Sequence, residues 1–259
     1  MNPHDPDDRN PSGLSRRSVL AGPAAIGAAS LIGARKGVAA AETTKATQEA
    51  NMANASVHTV GILLFDEIEV LDYAGPYEVF WEARPKGEDA DDLALFKPIT
   101  IGEHTGAIRG RGGLQAVAQY SLTNHPPIDI LVVPGGRGTR PLLKNPAVLD
   151  WIAAIDKTIA LTTSVCTGAF LLAERGLLDG KHATTHWASV DWMRRTYPKV
   201  TMVENERFVD QGRIITAAGV SAGIDMALHV VARLHGEETA NWTARRIQYD
   251  YWPAASHQG

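Results

Sequence analysis

The amino-acid sequence predicts an α/β fold in which helices on both faces flank a mostly parallel sheet. Short apolar, β-branched segments alternate with segments of helical periodicity from residue 57 to residue 247. Two of the apolar segments end in glycine-containing turns, Pro134-Gly135-Gly136 and Cys166-Thr167-Gly168. In an open parallel sheet, ligands bind outside the carboxyl ends of the strands, so we expect these turns to border a binding crevice.

The individual elements follow from local pattern. Short apolar runs predict strands at residues 60–65, 96–101, 130–133, 159–163 and 182–187. Helical spacing of apolar residues predicts helices at residues 75–83, 146–156, 189–197, 221–234 and 237–247, with another from Thr167 onward. Residues 114–120 predict a small hairpin arm, and residues 201–217 a hairpin that turns at Asp210-Gln211-Gly212.

The first 41 residues predict a targeting segment that does not belong to the fold. Residues 15–20 read SRRSVL, a twin-arginine pattern, and a modestly apolar run follows at residues 20–34. That run is short for a membrane span and no cysteine follows it, so we expect export to the periplasm without a stable membrane anchor. A retained amphipathic tail is the alternative. Residues 42–56 then read as a linker, 57–247 as the catalytic domain and 248–259 as a C-terminal tail.

Composition excludes some functional classes. The formal net charge is −4, and residues 1–41 carry more Arg and Lys than Asp and Glu, so their removal makes the chain more acidic. An acidic chain without a basic stripe argues against nucleic acid as the main partner. The single cysteine excludes an internal disulfide and a zinc site made of cysteines. Charged residues at 21% and apolar residues at 44% are ordinary for a soluble globular enzyme.

Cys166 stands between a buried strand and a helix, which suggests a nucleophile. Residues 158–165 are mainly apolar or β-branched, and the residues after Thr167 have amphipathic helical spacing. The free N–H groups and the positive dipole end of that helix are expected to favour a thiolate over a thiol. The alternative is that Cys166 is only a small buried apolar residue.

Further residues are expected at the same edge of the sheet. Asp72 follows the first strand, and Gly135 and Gly136 follow the strand at residues 130–133. Each has a simpler explanation, a helix cap for Asp72 and a tight turn for the glycines. Together with Cys166 they outline a site at the carboxyl ends of the strands.

Four segments resemble the ThiJ/PfpI superfamily, whose fold is that of the class I glutamine amidotransferases. They are DYAGPYEVF, LVVPGG, SVCTGAFLLAERGLLDGKHATTHW and ITAAGVSAGIDMALHVV, and the likeness runs from residue 57 to about residue 242. The resemblance implies a flavodoxin-like fold with a nucleophile elbow at Cys166. The Cys-Thr-Gly turn and the LD-x-x-GP-x-E-V segment most resemble the isonitrile hydratase branch.

That branch implies roles for particular residues. Cys166 would be the nucleophile, Asp72, in the loop after the first strand, its acidic partner, and Thr167 a third catalytic group. Backbone N–H groups of Gly136 and Thr167 resemble the family's anion pocket, and Gly135, Gly136 and His186 are expected to bind the substrate or its oxyanion. His186 matches a histidine that lies near the pocket in several relatives. No cofactor is implied, and a homodimer is expected.

Other candidate features of the sequence do not indicate a functional site. His182 and His186 are four residues apart, a zinc spacing on a helix, but their segment predicts a strand, so no metal site is expected. Asp66 and Glu69 are interpreted as loop charges. The run Arg109 to Gly113 is interpreted as a flexible basic turn.

The resulting hypothesis is a cofactor-independent enzyme that hydrates a small isonitrile to an N-substituted formamide. Cys166 would form a thioimidate, and Asp72, if burial raised its pKa, would first donate a proton and then activate water. Hydrolysis or detoxification of another small electrophile is one alternative. A non-catalytic binding or redox-sensing protein is another, because an exposed thiol of low pKa is readily oxidised. The same domain occurs fused to helix-turn-helix regulators, but only 25 residues follow Leu234, too few for such a segment.

Overall fold

The computed structural model describes residues 57–250. Their main sheet has seven strands in the order β10-β11-β7-β6-β1-β2-β5. The strands of this sheet are β1 (His58–Leu64), β2 (Phe96–Gly102), β5 (Tyr120–Ser121), β6 (Ile130–Val133), β7 (Leu161–Val165), β10 (Phe208–Asp210) and β11 (Ile214–Ala217). All neighbours are parallel except the β10–β11 hairpin at one edge. The carboxyl ends of β1, β6 and β7 therefore meet at one edge, as the predicted site requires.

Two small sheets lie outside the main one. The antiparallel pair is β3 (Gly106–Arg109) with β4 (Gln115–Ala118), and it forms a hairpin arm. The other pair is β8 (His182–Ala183) with β9 (Thr201–Met202), which run parallel.

The helices pack in two groups beside the sheet. One group is α1 (Val70–Glu82), α6 (Ala222–His235) and α7 (Glu237–Arg246). The other is α2 (Thr139–Leu142), α3 (Pro146–Asp156) and α4 (Ala169–Glu174). Helix α5 (Val190–Thr196) packs against β9. No helix within residues 57–250 is long and apolar enough to cross a membrane.

The core lies around the central strands. Every residue of β6 and β7 is buried, and β1 is buried except for the partly exposed Thr59. Strands that are covered on both faces read as continuous apolar runs rather than alternating ones, which is why these three were recognisable in the sequence. Because both faces of the sheet are covered here, a ligand can reach these strands only at their ends.

The predicted fold class is confirmed, and some element boundaries differ. Strand β6 and helix α3 have the predicted bounds. Helix α1 begins at Val70 instead of residue 75, so Asp72 lies in its first turn and not in a loop. The strand predicted at 182–187 ends at Ala183, so His182 and His186 do not share a strand face.

The two predicted hairpins also differ in detail. The arm pairs β4 with the preceding β3, and Tyr120 belongs to the main sheet. The hairpin at Asp210-Gln211-Gly212 consists of β10 and β11 alone, since Thr201 and Met202 pair with β8. The predicted signal segment and linker, residues 1–56, and residues 251–259 of the tail lie outside the described residues.

Candidate active site

Cys166 lies at a sharp turn between β7 and α4. Strand β7 ends at Val165, and a short 3-10 turn, Cys166–Gly168, leads into the helix. Cys166 has a φ of 56°, a left-handed conformation that is uncommon for a residue with a side chain and often marks a functional site. Its side chain is 6% exposed. The backbone thus has the form of a nucleophile elbow, which aims a side chain away from the end of its strand.

Close backbone contacts hold this elbow. The Thr185 hydroxyl donates to the carbonyl oxygen of Cys166 across 2.7 Å. A Cβ atom at Gly168 would overlap the carbonyl oxygen of Val133 in the neighbouring strand, and one at Gly219 would lie 2.5 Å from the Cβ atom of Cys166. Glycine is therefore required at both of these positions. Thr185 and Gly219 were not identified as site residues from the sequence.

Asp72 is fully buried in the first turn of α1. The Gly135 N–H donates to its Oδ2 atom across 3.0 Å, and no well-aligned donor among the described residues reaches Oδ1. Burial raises the pKa of Asp72 to about 7, and Glu69 adds to the increase, while hydrogen bonds from Gly135 and Cys166 oppose it. The sequence prediction that Asp72 and Cys166 come together is thus met by the geometry.

The Cys166 thiol has a raised pKa, which is opposite to the sequence expectation. Burial is the largest cause, and the charge of Asp72 and the hydrogen bond to Asp72 raise the pKa further. The Thr167 N–H lowers the pKa of Cys166 but does not compensate. The turn before the short helix α4 therefore does not produce a thiolate, because loss of water and a neighbouring carboxylate outweigh the helix terminus. In the resting pair, the proton stays on sulfur.

Thr167 and Gly136 are bonded to each other. The Gly136 N–H donates to Thr167 Oγ1 across 3.0 Å, and Thr167 Oγ1 lies 3.2 Å from the Gly136 carbonyl oxygen, to which it can donate. Thr139 Oγ1 lies 3.2 Å from the same hydroxyl. The N–H groups of Gly135 and Gly136, expected to face an anion, are thus engaged by Asp72 and Thr167. The donors beside the sulfur belong to Thr167: its backbone N–H and, more weakly, its hydroxyl both lower the pKa of Cys166.

The 66–69 segment closes the site from the other side. Glu69 N–H donates to the Gly135 carbonyl oxygen across 2.9 Å. Gly136 has a φ of 129°, and a Cβ atom there would lie 2.5 Å from the Glu69 backbone nitrogen. This contact between two loops brings the start of α1, and with it Asp72, to the end of β6. Glu69 and Asp66, interpreted as loop charges, therefore have structural partners: Asp66 Oδ1 accepts from the Arg109 N–H across 2.8 Å.

Cys166 and Thr167 line a cavity of about 210 Å³ that also has charged walls. Glu69 and Arg111 form an ion pair at 2.5 Å on one side. The exposed Arg137 and Arg140 lie on the rim, and the Arg140 guanidinium carbon is 4.6 Å from the centre of the Phe170 ring. These arginines were not identified as site residues from the sequence, although the basic run at residues 109–113 was visible. Arg111 reaches the cavity from the turn between β3 and β4, whereas Arg137 and Arg140 follow β6.

His186 also lines this cavity, as the resemblance implied. Its Nδ1 atom accepts a hydrogen bond from the Ala188 N–H at 3.3 Å, so it caps the short 3-10 turn Trp187–Ser189. Within residues 57–250, no group of three or more His, Cys, Asp or Glu side chains is placed to hold a metal ion. A larger cavity of about 310 Å³ lies beside the β3–β4 arm, but Cys166 and Asp72 are not among its walls.

Comparison with known proteins gives consistent results. The profile of the DJ-1/PfpI family matches residues 58–233. Isonitrile hydratase of Pseudomonas putida is 34% identical over 196 residues, which cover 75% of this chain and 79% of that protein. The HTH-type transcriptional regulator CdhR of Pseudomonas aeruginosa is 36% identical over 147 residues, which cover 56% of this chain but only 43% of the regulator.

Solved structures agree with the fold. The crystal structure of a ThiJ/PfpI family protein from Pseudomonas syringae superposes with a TM-score of 0.66 at 26% identity. The match covers 78% of this chain and 79% of that one. The similarity in structure thus extends over most of this chain.

Proposed function

The chain belongs to the DJ-1/PfpI family, and we propose that it is a cysteine enzyme of that family that adds water to a small isonitrile. The observation that carries the proposal is the buried pair of Cys166 and Asp72, in which the carboxyl has a pKa of about 7 and the thiol keeps its proton. The similarity to isonitrile hydratase supports this reaction, because hydration of an isonitrile needs a nucleophile and a proton shuttle at one carbon atom.

In the first step the S–H group adds across the isonitrile carbon. Asp72, as a carboxylate, takes the thiol proton while sulfur forms a bond to the carbon. The neutral carboxyl then returns that proton to the same carbon, which leaves a thioimidate, R–N=CH–S, on Cys166. A high thiol pKa is acceptable here because the base lies beside the sulfur and the proton moves only during attack.

In the second step water adds across the C=N bond. Asp72, ionised again, accepts a proton from water as the oxygen attacks, and this proton is passed to nitrogen. The tetrahedral adduct then collapses, the C–S bond breaks, the hydroxyl proton goes back to sulfur through Asp72, and an N-substituted formamide leaves. No oxidant or cofactor is needed. The Thr167 N–H, a donor beside the sulfur, stabilises the charge that develops there.

The pair works as one unit that holds either one or two protons. With one proton, held by the sulfur at rest, the pair is competent in both steps. With two protons, below a pH of about 7, Asp72 cannot accept the proton of the thiol. The raised pKa of Asp72 thus lets the same carboxyl act as base and as acid near neutral pH.

A ligand-binding role without catalysis is the second candidate, because the regulator CdhR is also similar in sequence. The deep placement of Cys166 and its raised pKa argue against redox sensing, which favours an accessible thiolate. One measurement distinguishes catalysis from binding without catalysis, namely whether the N-substituted formamide appears.

The test uses phenyl isocyanide with the wild-type chain, Cys166→Ser, and Arg245→Gln as a control on the exposed surface of α7. We expect N-phenylformamide from the wild type and from the control. In the wild type, mass spectrometry after rapid acid quenching should find a transient adduct on Cys166 with the mass of one isonitrile. Cys166→Ser should give neither. Formamide production at the wild-type rate by Cys166→Ser would refute covalent catalysis, and its absence from every sample would leave the binding role.

We also propose that the protein is exported through the twin-arginine pathway. The proposal is supported by the SRRSVL pattern at residues 15–20 and the apolar run after it. Replacement of Arg16 and Arg17 by lysine should leave the protein in the cytoplasmic fraction of a bacterial host. A cytoplasmic location of the unmodified chain would overturn the proposal.

A further inference from the structure

The cavity at Cys166 has an excess of positive charge at its rim. Its charged walls are Glu69, Arg111, Arg137 and Arg140. Glu69 is the acidic side chain that lines the cavity itself, and its ion pair with Arg111 neutralises both charges. Asp72, with a pKa of about 7, adds less than a full negative charge at neutral pH. The guanidinium groups of Arg137 and Arg140 are therefore not balanced locally.

Neither of these two arginines forms an ion pair with another residue of the described chain. Arg137 is exposed, and no hydrogen bond of its side chain is present within residues 57–250. Arg140 is held by aromatic faces instead: its guanidinium carbon lies 4.6 Å from the Phe170 ring centre and 5.0 Å from that of Trp192. It also lies near Tyr197, whose hydroxyl bonds to Glu174, but it makes no ion pair with that carboxylate.

Stacking against two rings restrains Arg140 without using its hydrogen-bond donors. A guanidinium in this position has lost side-chain freedom in advance, so binding an anion costs less entropy. The planar fork of an arginine matches a carboxylate in a bidentate geometry. A cavity of about 210 Å³ is also smaller than the roughly 300–1,000 Å³ typical of sites for drug-sized ligands, and it fits a small molecule.

We propose that the substrate is a small isonitrile that carries a carboxylate group, with Arg137 and Arg140 binding the carboxylate while Cys166 attacks the isonitrile carbon. The choice of an isonitrile rests on the proposed function, whereas the anionic group rests on the cavity alone. Arg137 and Arg140 are specificity residues in this arrangement and take no part in the proton transfers.

The kinetic test compares acids with their methyl esters, which differ mainly in charge. The two pairs are isocyanoacetate with methyl isocyanoacetate, and 4-isocyanobenzoate with its methyl ester. For at least one pair we expect kcat/KM to favour the acid by about tenfold, the size of one partly exposed charge-assisted contact. Added salt should reduce this preference.

Variants identify the groups responsible. Arg137→Gln and Arg140→Gln should each raise KM for the acid about fivefold to tenfold and leave the ester unchanged. Arg140→Lys, which keeps the charge, should retain part of the preference. Arg245→Gln, which removes one exposed positive charge from α7, should not change it. Equal kcat/KM for acid and ester in both pairs, or the same loss in Arg245→Gln, would overturn the proposal.

A binding measurement separates this proposal from the reaction. Calorimetry with Cys166→Ser should show 4-formamidobenzoate binding more tightly than its methyl ester, and addition of Arg137→Gln to this variant should reduce the difference. If no isonitrile is turned over but this preference remains, the proposed reaction fails and the anion site stands. If isonitriles are turned over without any preference for the acid, the reaction stands and the anion site is refuted.

Discussion

A Cβ atom added at Gly219 would lie 2.5 Å from the Cβ atom of Cys166, a separation that real side chains do not reach. Gly219 follows β11, while Cys166 follows the neighbouring β7, so two strand ends press against each other at the nucleophile. The sulfur is held in place by this contact as well as by its own turn.

Gly219→Ala should therefore displace Cys166 and reduce turnover strongly. Gly87→Ala is the matched control, because the φ angles of the two glycines are nearly equal, 84° at Gly219 and 87° at Gly87. A Cβ atom at Gly87, however, would meet nothing within 4 Å. Backbone strain should lower the free energy of unfolding of each variant by about 1 kcal/mol. Overpacking against Cys166 should lower that of Gly219→Ala by about 1–3 kcal/mol more. Only Gly219→Ala should lose activity, measured as kcat/KM. Equal activity of the two variants would show that the contact does not position the nucleophile.

Asp72→Asn should change thiol reactivity and turnover in opposite directions. Burial still raises the pKa of Cys166, but the contribution from the Asp72 charge disappears, so the pKa of the thiol falls and alkylation by iodoacetamide at fixed pH becomes faster. Turnover should fall by about 10²–10⁴, because the proton shuttle is lost. Glu78→Gln removes a carboxylate from the exposed side of the same helix and should affect neither rate. Faster turnover in Asp72→Asn would show that the carboxylate only hinders the sulfur.

The pH profile should report the pair as a unit. Since the pKa of Asp72 is raised to about 7, the two-proton form accumulates below that pH, and this form lacks a base for the thiol proton. We expect kcat/KM to fall about tenfold per pH unit below about 7 and to level off above it. The remaining kcat/KM of Asp72→Asn should not show this decrease below a pH of about 7. A profile that instead rises toward acid would mean that the doubly protonated pair is the active one.

Thr167 should contribute mainly through its bonds to Gly136. Thr167→Val removes the acceptor for the Gly136 N–H and should lower the free energy of unfolding by about 1–2 kcal/mol, with a moderate loss of turnover. Thr167→Ser keeps the hydroxyl and should resemble the wild type. Urea denaturation and kcat/KM measure the two effects. A loss in Thr167→Ser as large as that in Thr167→Val would contradict this role, because serine keeps the hydroxyl that accepts from Gly136.

A buried histidine pair away from the site should make stability depend on pH. His58 and His235 have ring centres 5.3 Å apart, and both ring nitrogens of His58 and Nε2 of His235 are buried without hydrogen-bond partners in the described chain. Burial lowers the pKa of both rings. At His235, burial and then the charge of His58 together lower the pKa to about 4, and at His58 the charge of Asp129 partly opposes the shift. The neutral rings are thus favoured by folding. Stability should be complete above the unfolded pKa of about 6.5 and decrease as pH falls toward 4.

His235→Phe should remove part of this acid sensitivity. The wild type should lose on the order of 1 kcal/mol more than the variant between pH 7 and pH 5, measured by urea unfolding at both values. Asp72 titrates in the same range with the opposite sign, but it is present in both proteins and cancels in the comparison. Identical losses would show that His235 is not responsible.

The local sequence pattern was sufficient to predict the bounds of elements whose burial is uniform along their length. The bounds of strand β6 and helix α3 could be predicted to the residue. Strand β6 is buried on both faces and helix α3 on one, and this burial sets the spacing of their apolar residues. Helix α1 was predicted too short since Gly75 and Pro76 disfavour a helix locally. In the structure Pro76 lies inside the helix, where Gly75 packs tightly against Ile224 of α6, so tertiary packing overrides propensity.

The strand predicted at 182–187 failed for a similar reason. Thr184 N–H bonds to the Thr216 hydroxyl and the Thr185 hydroxyl to the Cys166 carbonyl, so the chain leaves the strand to hold the elbow. Such bonds join segments far apart in sequence, and no local periodicity encodes them.

The sequence by itself determined the α/β fold, the family, the position of Cys166 at an elbow, and the pairing of Cys166 with Asp72. Only the tertiary structure decided that burial and Asp72 raise the pKa of the thiol, that the glycine N–H groups are already engaged, and that three arginines line the cavity. The reason is physical: composition and spacing follow from neighbours along the chain, whereas burial, charge and hydrogen bonding depend on groups that meet only after folding.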